Sequence, residues 1–321
     1  MTKLAIVGAT GLVGETLLDE LAQRNYEVDI KLLASAQSAG QRIKFKDREL
    51  VIEELSPDSF SGIDYALFAV EGELSKEYAP HATRAGCVVI DNSSAFRMDP
   101  TVPLVIPEVN SKALGMHQGI IANPNCSTIQ SVVPLGALKP FGLKRVIYTT
   151  YQSVSGSGKA GIEDLERGQR GEKPAFYPVP IANNVIPQID DFLDNGYTKE
   201  EKKMINETKK ILELPELKVT ATTVRVPLQS AHSVAMIVEL EQPFDLEEIK
   251  QVLALAPGLV LIDSPDYPTP LRAAGRDDIL IGRIRRDDSA PNSLHIWCVA
   301  DNIRKGAAGN AVQILDELLR K

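Results

Sequence analysis

Over the first 125 positions, apolar residues come in short runs separated by stretches with helical spacing. Leu4 to Val7 is a continuous apolar run, Leu12 to Arg24 repeats its apolar side chains three and four apart, and Ile30 to Ala34 is again a short run. Strand, helix and strand in this succession predict parallel pairing through a crossover helix. The pattern continues with predicted strands at Ala66 to Ala69, Val88 to Asp91 and Ile120 to Ala122, and a helix over Leu74 to Ala85. Ile43 to Glu53 has two short alternating stretches and predicts a small antiparallel hairpin after the second strand.

After Cys126 the pattern changes to longer, alternating stretches: Arg145 to Gln152, Val219 to Val226, Val234 to Leu240, Ile279 to Arg285 and Leu294 to Ala300. Alternation of this kind predicts a mainly antiparallel sheet covered on one face. Gly168 to Pro180, rich in Gly and Pro, predicts an exposed loop, and Gly306 to Leu319 a closing amphipathic helix. The fold class expected is therefore α/β, with a parallel first domain followed by an α+β domain.

Composition narrows the function. The 321 residues suit two domains, and 44% hydrophobic with 24% charged residues is ordinary for a folded, soluble chain. Lysine and arginine number 35 against 43 acidic residues, a net charge of −8, which argues against nucleic acid as a partner. An anionic substrate would then need its own local cluster of cations. The three cysteines, Cys87, Cys126 and Cys298, are odd in number and far apart, so neither a disulfide framework nor a metal site is expected. With an apolar N-terminal run too short for a signal peptide and none of membrane-spanning length, a cytoplasmic protein is expected.

Gly8, Gly11 and Gly14 follow a predicted strand and open a predicted helix, the setting of a dinucleotide-binding turn. Glycine lets backbone approach a pyrophosphate, and the helix start offers unpaired N–H groups. The plain alternative is a tight turn without a ligand. Where an acidic residue would meet the ribose of NAD, the chain reads Ser35-Ala36-Gln37-Ser38-Ala39-Gly40. Hydroxyl and amide groups there suit a 2′-phosphate, which favours NADP over NAD. Asn123-Pro124-Asn125-Cys126 lies between a strand and a run from Ile129 to Leu138 that can be helical despite Pro134. A thiol at a helix start has its thiolate favoured, so Cys126 is the candidate nucleophile. Cys87 and Cys298, within apolar segments, fit the buried, inert alternative. Of four histidines, His232 opens a strand seven residues after Arg225 and is the candidate acid–base partner; His81, His117 and His295 read as ordinary hydrogen-bonding residues.

Taken in order, Gly8-Ala9-Thr10-Gly11-Leu12-Val13-Gly14, the turn at Ser35, Asn92 to Arg97, Val102 to Asn110, Pro124 to Gln130, Tyr151 to Gly156, Asn184 to Asp190, Arg225-Val226-Pro227 with His232, Gly282 to Arg285 and Asp301-Asn302 resemble the aspartate-β-semialdehyde dehydrogenase family over nearly the whole chain. The resemblance implies a Rossmann-like NADP-binding domain at 1–126 completed by the C-terminal helix at 302–321, and a catalytic and dimerisation domain at 127–301. It implies reductive dephosphorylation of L-aspartyl 4-phosphate by NADPH, on the route to lysine, threonine, methionine and diaminopimelate, by a homodimer. Cys126 would form a thioester, His232 would handle the proton, and Gln152 would orient the thiol and carbonyl. Arg225 would hold the substrate carboxylate. Arg97 and Lys203 would bind the departing phosphate beside Asn125, with Glu200 on the substrate side. Gly8, Thr10, Gly11, Leu12, Val13, Gly14, Ser35, Gln37 and Ser38 would contact the cofactor, with no metal.

Three features depart from the family pattern. Gln37 replaces a frequent arginine, Val70-Glu71-Gly72-Glu73 replaces a small-residue loop near the cofactor, and Leu165 to Tyr177 is short. By spacing alone Glu200 and Lys203, on a charged helix with Glu207 and Lys210, read as a solvated face; only the family pattern raises them. An N-acetylglutamyl phosphate reductase would have no need of Glu200 and would differ around Cys126. A non-catalytic NADP-binding relative would have no need of Cys126, Gln152, Arg225 and His232 together.

Overall fold

A computed structural model of the chain describes residues 1–24 and 26–320. They form two compact units, 1–124 with the residues from 307 onward, and 125–306.

The first unit contains β1 (Thr2–Val7), α1 (Leu12–Ala22), β2 (Val28–Ala34), β3 (Arg42–Phe45), β4 (Arg48–Glu54), β5 (Tyr65–Phe68), α2 (Gly72–Arg84), β6 (Val88–Asp91), α3 (Pro107–Asn110), β7 (Ile120–Ala122) and a C-terminal helix at Gly309–Leu319. Its sheet runs β3-β4-β2-β1-β5-β6-β7. All neighbours are parallel except the β3/β4 hairpin, where Ile43 faces Leu50, and β4 joins β2 in parallel. The unbroken apolar run of β1 has a simple cause. Leu4 and Ile6 enter one core with Leu17, Leu21, Val312 and Leu315, while Ala5 and Val7 enter another with Phe60, Phe68 and Ala79. A strand buried on both faces has no polar positions to alternate with. Each large side chain so buried contributes about 1.5–3 kcal/mol.

The second unit contains α4 (Cys126–Leu138), β8 (Leu143–Gln152), α5 (Gly158–Gln169), α6 (Lys199–Leu212), β9 (Lys218–Arg225), β10 (His232–Leu240), α7 (Leu246–Leu255), β11 (Leu259–Ile262), α8 (Pro270–Ala273), β12 (Ile279–Arg286) and β13 (Ser293–Ala300). The sheet order is β11-β12-β13-β10-β8-β9. It is mostly antiparallel, with parallel pairs β8/β9 and β11/β12 near its two edges. Along β8 the buried residues Val146, Tyr148, Thr150 and Gln152 alternate with half-buried or exposed Ile147, Thr149 and Tyr151, so one face is covered and the other open. Helix α4 packs against β8, β10 and β13.

The chain from Arg170 to Pro180 is an irregular, largely exposed loop, as its Gly and Pro content implies. Helices α5 and α7 and strand β11 are elements that the sequence reading did not name. In α5 only Gly161, Asp164 and Leu165 are buried. Helix α4 continues through Pro134. Proline has no N–H for the carbonyl four residues back, and that carbonyl, on Gln130, is met instead by Cys298 Sγ at 3.1 Å.

Candidate active site

In the first unit, the glycine turn leaves β1 and enters α1. Gly8 has φ +86°, and a Cβ there would overlap the Ala69 carbonyl oxygen; a Cβ on Gly14 would overlap the Gly8 carbonyl oxygen. These two glycines are required by close backbone packing. Gly11 stands at the N-cap, so no side chain caps α1. The first-turn N–H groups of Leu12, Val13 and Gly14 are thereby left for an anion, the arrangement that suits a dinucleotide pyrophosphate. Ser35, Gln37 and Ser38 follow β2 in an open turn closed by Ser38 N–H to the Ser35 carbonyl at 2.9 Å; Ser35 and Gln37 are exposed and Ser38 is half-buried. Glu71 is the N-cap of α2, and Glu73 lies in its first turn, paired with Lys76. Both carboxylates therefore stand at the positive end of a helix.

Arg97 is buried in the same unit. Its Nε donates to the Asn123 carbonyl at 2.9 Å and its Nη2 to the Asn92 carbonyl at 2.7 Å. The loop that carries it is anchored by Asp91, which accepts from Ser75 Oγ at 2.6 Å and Ser93 Oγ at 2.7 Å.

In the second unit, Cys126 is the first residue of α4. Asn125 is the N-cap, and its side chain accepts from the N–H groups of Ser127 at 3.0 Å and Thr128 at 3.2 Å. The Asn125 backbone N–H donates to Glu207 Oε2 at 2.7 Å. Its Nδ2 donates to Glu200 Oε1 at 2.8 Å, and Gln152 Nε2 reaches the same oxygen at 3.2 Å. Glu200 thus ties the residue before Cys126 to the end of β8. Burial pushes its carboxyl up, but the Lys203 charge and the bonds from Asn125, Gln152 and Lys203 outweigh burial and hold it below the usual glutamate range. Lys203 meets Glu200 at 3.2 Å and Asp190 at 2.8 Å. On the other side of Cys126, a Cβ added to Gly306 would lie 2.9 Å from the cysteine Cβ. Gly306 belongs to a π-helical turn, and its N–H is held at 3.0 Å by the Asp301 carbonyl.

One turn along α4 from Cys126, Gln130 Nε2 donates to the His232 carbonyl at 3.2 Å. His232 is fully buried, and its Nδ1 receives the Ser153 backbone N–H at 3.0 Å. Its Nε2 is buried with no hydrogen-bond partner among the described residues. Burial, then the Arg225 charge, lowers its pKa well below the usual histidine value, against a smaller opposite pull from the Ala231 carbonyl. Arg225 Nη1 donates to the Ser153 carbonyl at 2.7 Å. A Cβ on Gly156 would lie 2.8 Å from Arg225 Nη1 and 3.2 Å from His232 Nε2, so glycine keeps the space before both groups clear. Cys126 is half-buried, whereas Cys87 and Cys298 are buried, and burial pushes the Cys87 thiol up to about 12 and that of Cys298 higher still.

Two family descriptions match the chain. "Semialdehyde dehydrogenase, NAD binding domain" covers residues 3–117, and "Semialdehyde dehydrogenase, dimerisation domain" covers 134–305. Aspartate-semialdehyde dehydrogenase of Bacillus subtilis is 48% identical over 98% of this chain and 96% of that protein; the Aquifex aeolicus enzyme is 49% identical over 99% and 98%. The chain belongs to the aspartate-semialdehyde dehydrogenase family. A crystal structure of aspartate semialdehyde dehydrogenase II of Vibrio cholerae, complexed with ASA, superposes with a TM-score of 0.97 at 45% identity, covering 100% of this chain and 99% of that one. The two-domain α/β architecture, an NAD(P)-binding domain and a dimerisation domain with a mostly antiparallel sheet, is that of the family.

Within this aspartate-semialdehyde dehydrogenase framework, Cys126, Asn125, Gln152, Glu200, Lys203, Arg225 and His232 are joined in one bonded region of the second unit, while Arg97 and the glycine turn belong to the first. Spacing alone misplaces α6. Glu200 is 5% exposed and Glu207 1%, so the helix face read as solvated is turned inward. Sequence reasoning passed over Ser153, Gly156 and Asn302 as individual residues; serine and glycine beside a strand end carry no signal of what they touch. Among the described residues no group of acidic, His and Cys side chains could hold a metal, and no helix is long and apolar enough to cross a membrane.

Proposed function

We propose that the chain is an NADP-dependent aspartate-semialdehyde dehydrogenase that converts L-aspartyl 4-phosphate to L-aspartate 4-semialdehyde through a thioester on Cys126. The observation that carries this reading is the bonded path from Asn125 through Glu200 to Gln152, and on through Ser153 to His232 and Arg225, beginning beside a cysteine at a helix N-terminus. Relatives that share nearly the whole chain bear this enzyme's name.

In this reading the Cys126 sulfur, as thiolate, forms a bond to the acyl carbon. The carbonyl electron pair moves onto oxygen and returns as the carbon–oxygen bond to phosphate breaks, and phosphate departs with that pair. Nicotinamide, when bound, would supply the hydride that reduces the thioester, and the carbon–sulfur bond then breaks to release the aldehyde and return Cys126 as thiolate. Gln152 orients the acyl group and His232 faces the reacting carbonyl with Nε2. Arg225 offers a planar, charged fork to the substrate carboxylate, and Glu200 a carboxylate to its amine. Arg97 and Lys203 serve the phosphate. The uncapped start of α1, with Gly8, Thr10, Gly11, Leu12, Val13 and Gly14, holds the cofactor pyrophosphate. Ser35, Gln37 and Ser38 meet the 2′-phosphate as neutral donors, which supports NADP as the better cofactor while leaving measurable use of NAD. The working form is a homodimer, in keeping with the family's dimerisation domain and the open face of the second sheet.

The test is an assay in the reverse direction, following NADPH formation from aspartate semialdehyde, with and without phosphate and with NAD in place of NADP. Phosphate-dependent NADPH formation, slower with NAD, is expected. Reduction independent of phosphate would refute the acyl-phosphate chemistry.

A further inference from the structure

One run singled out in the sequence, Asn184 to Asp190, has no part in the roles above. In the fold its start lies beside Arg225. Ile186 exchanges two backbone hydrogen bonds with that residue, its N–H to the Arg225 carbonyl at 3.0 Å and the Arg225 N–H to its own carbonyl at 2.8 Å. Its end lies beside Lys203. Asp190 Oδ2 accepts from Lys203 Nζ at 2.8 Å, while Oδ1 accepts from the Asp191 N–H at 2.9 Å. Asp191 takes the Lys199 N–H on its carbonyl at 2.9 Å and pairs with Lys199 Nζ at 2.6 Å. The segment is thus pinned on either side of Asp190, whose carboxylate is carried to Lys203 by a fixed backbone. That backbone is left-handed at Asp190, φ +67°, a conformation that aspartate and asparagine tolerate better than other side chains.

Lys203 therefore meets two carboxylates, and they are not equivalent. The Glu200 side chain is 6% exposed and also carries Asn125 and Gln152, so taking its lysine away would leave a buried charge uncompensated. The Asp190 side chain is 31% exposed, and water can replace the ammonium at its oxygen. Partial burial pushes the Asp190 carboxyl up, but the bond and charge of Lys203 outweigh it and hold it below the usual aspartate range, so it competes as a full negative charge. An anion arriving at Lys203 displaces Asp190 and leaves Glu200 in place.

We propose that Asp190 is a positioning residue for the phosphate subsite, holding Lys203 while the subsite is empty and yielding it to phosphate, so that it sets how tightly phosphate is held. The proposal rests on the reading of Lys203 as a phosphate ligand. Asp190 meets no substrate atom and acts only through the ammonium. Binding phosphate costs the Lys203–Asp190 bond, which lowers phosphate affinity by the worth of that bond. In the direction that releases phosphate, the returning carboxylate takes the ammonium back and weakens the hold on the product. Lys203 without this partner would be a stronger phosphate trap.

The test is steady-state kinetics of the full enzyme in the reverse direction, with aspartate semialdehyde and NADP saturating and inorganic phosphate varied. Asp190→Asn suits the left-handed backbone and keeps an acceptor for the Asp191 N–H, but loses the charge. It is expected to lower KM for phosphate about 3- to 10-fold, with KM for the semialdehyde within about 3-fold. In the opposite direction phosphate should become a stronger product inhibitor by a similar factor. A phosphate KM that is unchanged or raised overturns the proposal, and a lower melting temperature with phosphate KM unmoved would make Asp190 scaffolding. Lys203→Met is expected to raise phosphate KM about 10-fold or more, and in its background Asp190→Asn should have no further effect on that constant. An undiminished effect of Asp190→Asn without Lys203 would mean that the charge acts directly on phosphate, and overturns the proposal. If Lys203→Met leaves phosphate KM unmoved, the assignment of Lys203 fails and the proposal falls with it; if that variant raises KM and Asp190→Asn does not lower it, the proposal alone fails.

Discussion

Asn125 donates its side-chain N–H to Glu200 Oε1 at 2.8 Å, and this bond fixes the residue that caps the helix of Cys126 to a carboxylate seventy-five positions away. The same carboxylate carries Gln152 and Lys203. Removing that carboxylate leaves the buried Asn125 and Gln152 amides without their acceptor, at about 1–3 kcal/mol each, while Lys203 keeps Asp190. Glu200→Ala should therefore lower both melting temperature and kcat. Glu200→Gln keeps one acceptor oxygen and should lose about 10- to 100-fold in kcat/KM with a smaller fall in melting temperature. Calorimetry beside steady-state kinetics on both variants checks this; equal kinetics for Glu200→Gln and wild type would remove Glu200 from the site.

Gly306→Ala places a methyl 2.9 Å from the Cys126 Cβ, a contact that a short, backbone-bound atom cannot yield to by rotating. The sulfur must move, and a displacement near 1 Å costs about 100-fold where reacting atoms must align. The expected result is a fall in kcat of that order together with an altered rate of Cys126 alkylation by iodoacetamide. Unaltered alkylation and turnover would mean that the close approach has no bearing on the nucleophile.

Much of the fold was legible because it rests on local patterns. The run in β1 and the glycines that follow it announce a buried parallel strand and a turn in which Gly8 adopts φ +86°. What was not legible depends on partners remote in sequence. Nothing near Pro134 indicates that Cys298, 168 residues beyond Gln130, will satisfy the carbonyl that the proline leaves open. Glu200 and Glu207 look solvated by spacing, and only the Asn125 loop explains their burial. Ser153 and Asn302 are 149 residues apart and chemically ordinary, so the bond between their side chains exists only in the folded chain.

His232 also gives stability a pH dependence of defined sign. Burial and the Arg225 charge keep its folded pKa well below 6.5, so between that lower value and about 6.5 the unfolded chain binds more protons than the folded one. Stability then falls as pH drops below about 6.5, with a slope of up to about 1.4 kcal/mol per pH unit for this one group. His295 adds to the fall, since burial and Arg285 lower its pKa too. Urea unfolding at pH 7 and 5.5 should show a smaller loss for His232→Gln than for the wild type; identical losses would contradict the buried neutral ring.

Arg225 presents its guanidinium beside His232 while bonding the Ser153 carbonyl through Nη1. Arg225→Leu should raise KM for aspartate semialdehyde by about 100-fold or more, the loss of a charge-assisted pair, with cofactor KM little changed. Arg225→Lys, with a point charge in place of a fork, should fall between the two. A variant that lowers kcat alone would place Arg225 in the chemistry and not in substrate binding.

The central claim is an acyl group carried by Cys126. It is tested most directly by mixing the enzyme with L-aspartyl 4-phosphate without reduced cofactor, quenching in acid and mapping the peptides by mass spectrometry. The account predicts an aspartyl mass increment on the peptide containing Cys126, absent from Cys126→Ala. An unmodified Cys126 peptide, from a preparation that turns over when NADPH is added, would contradict it.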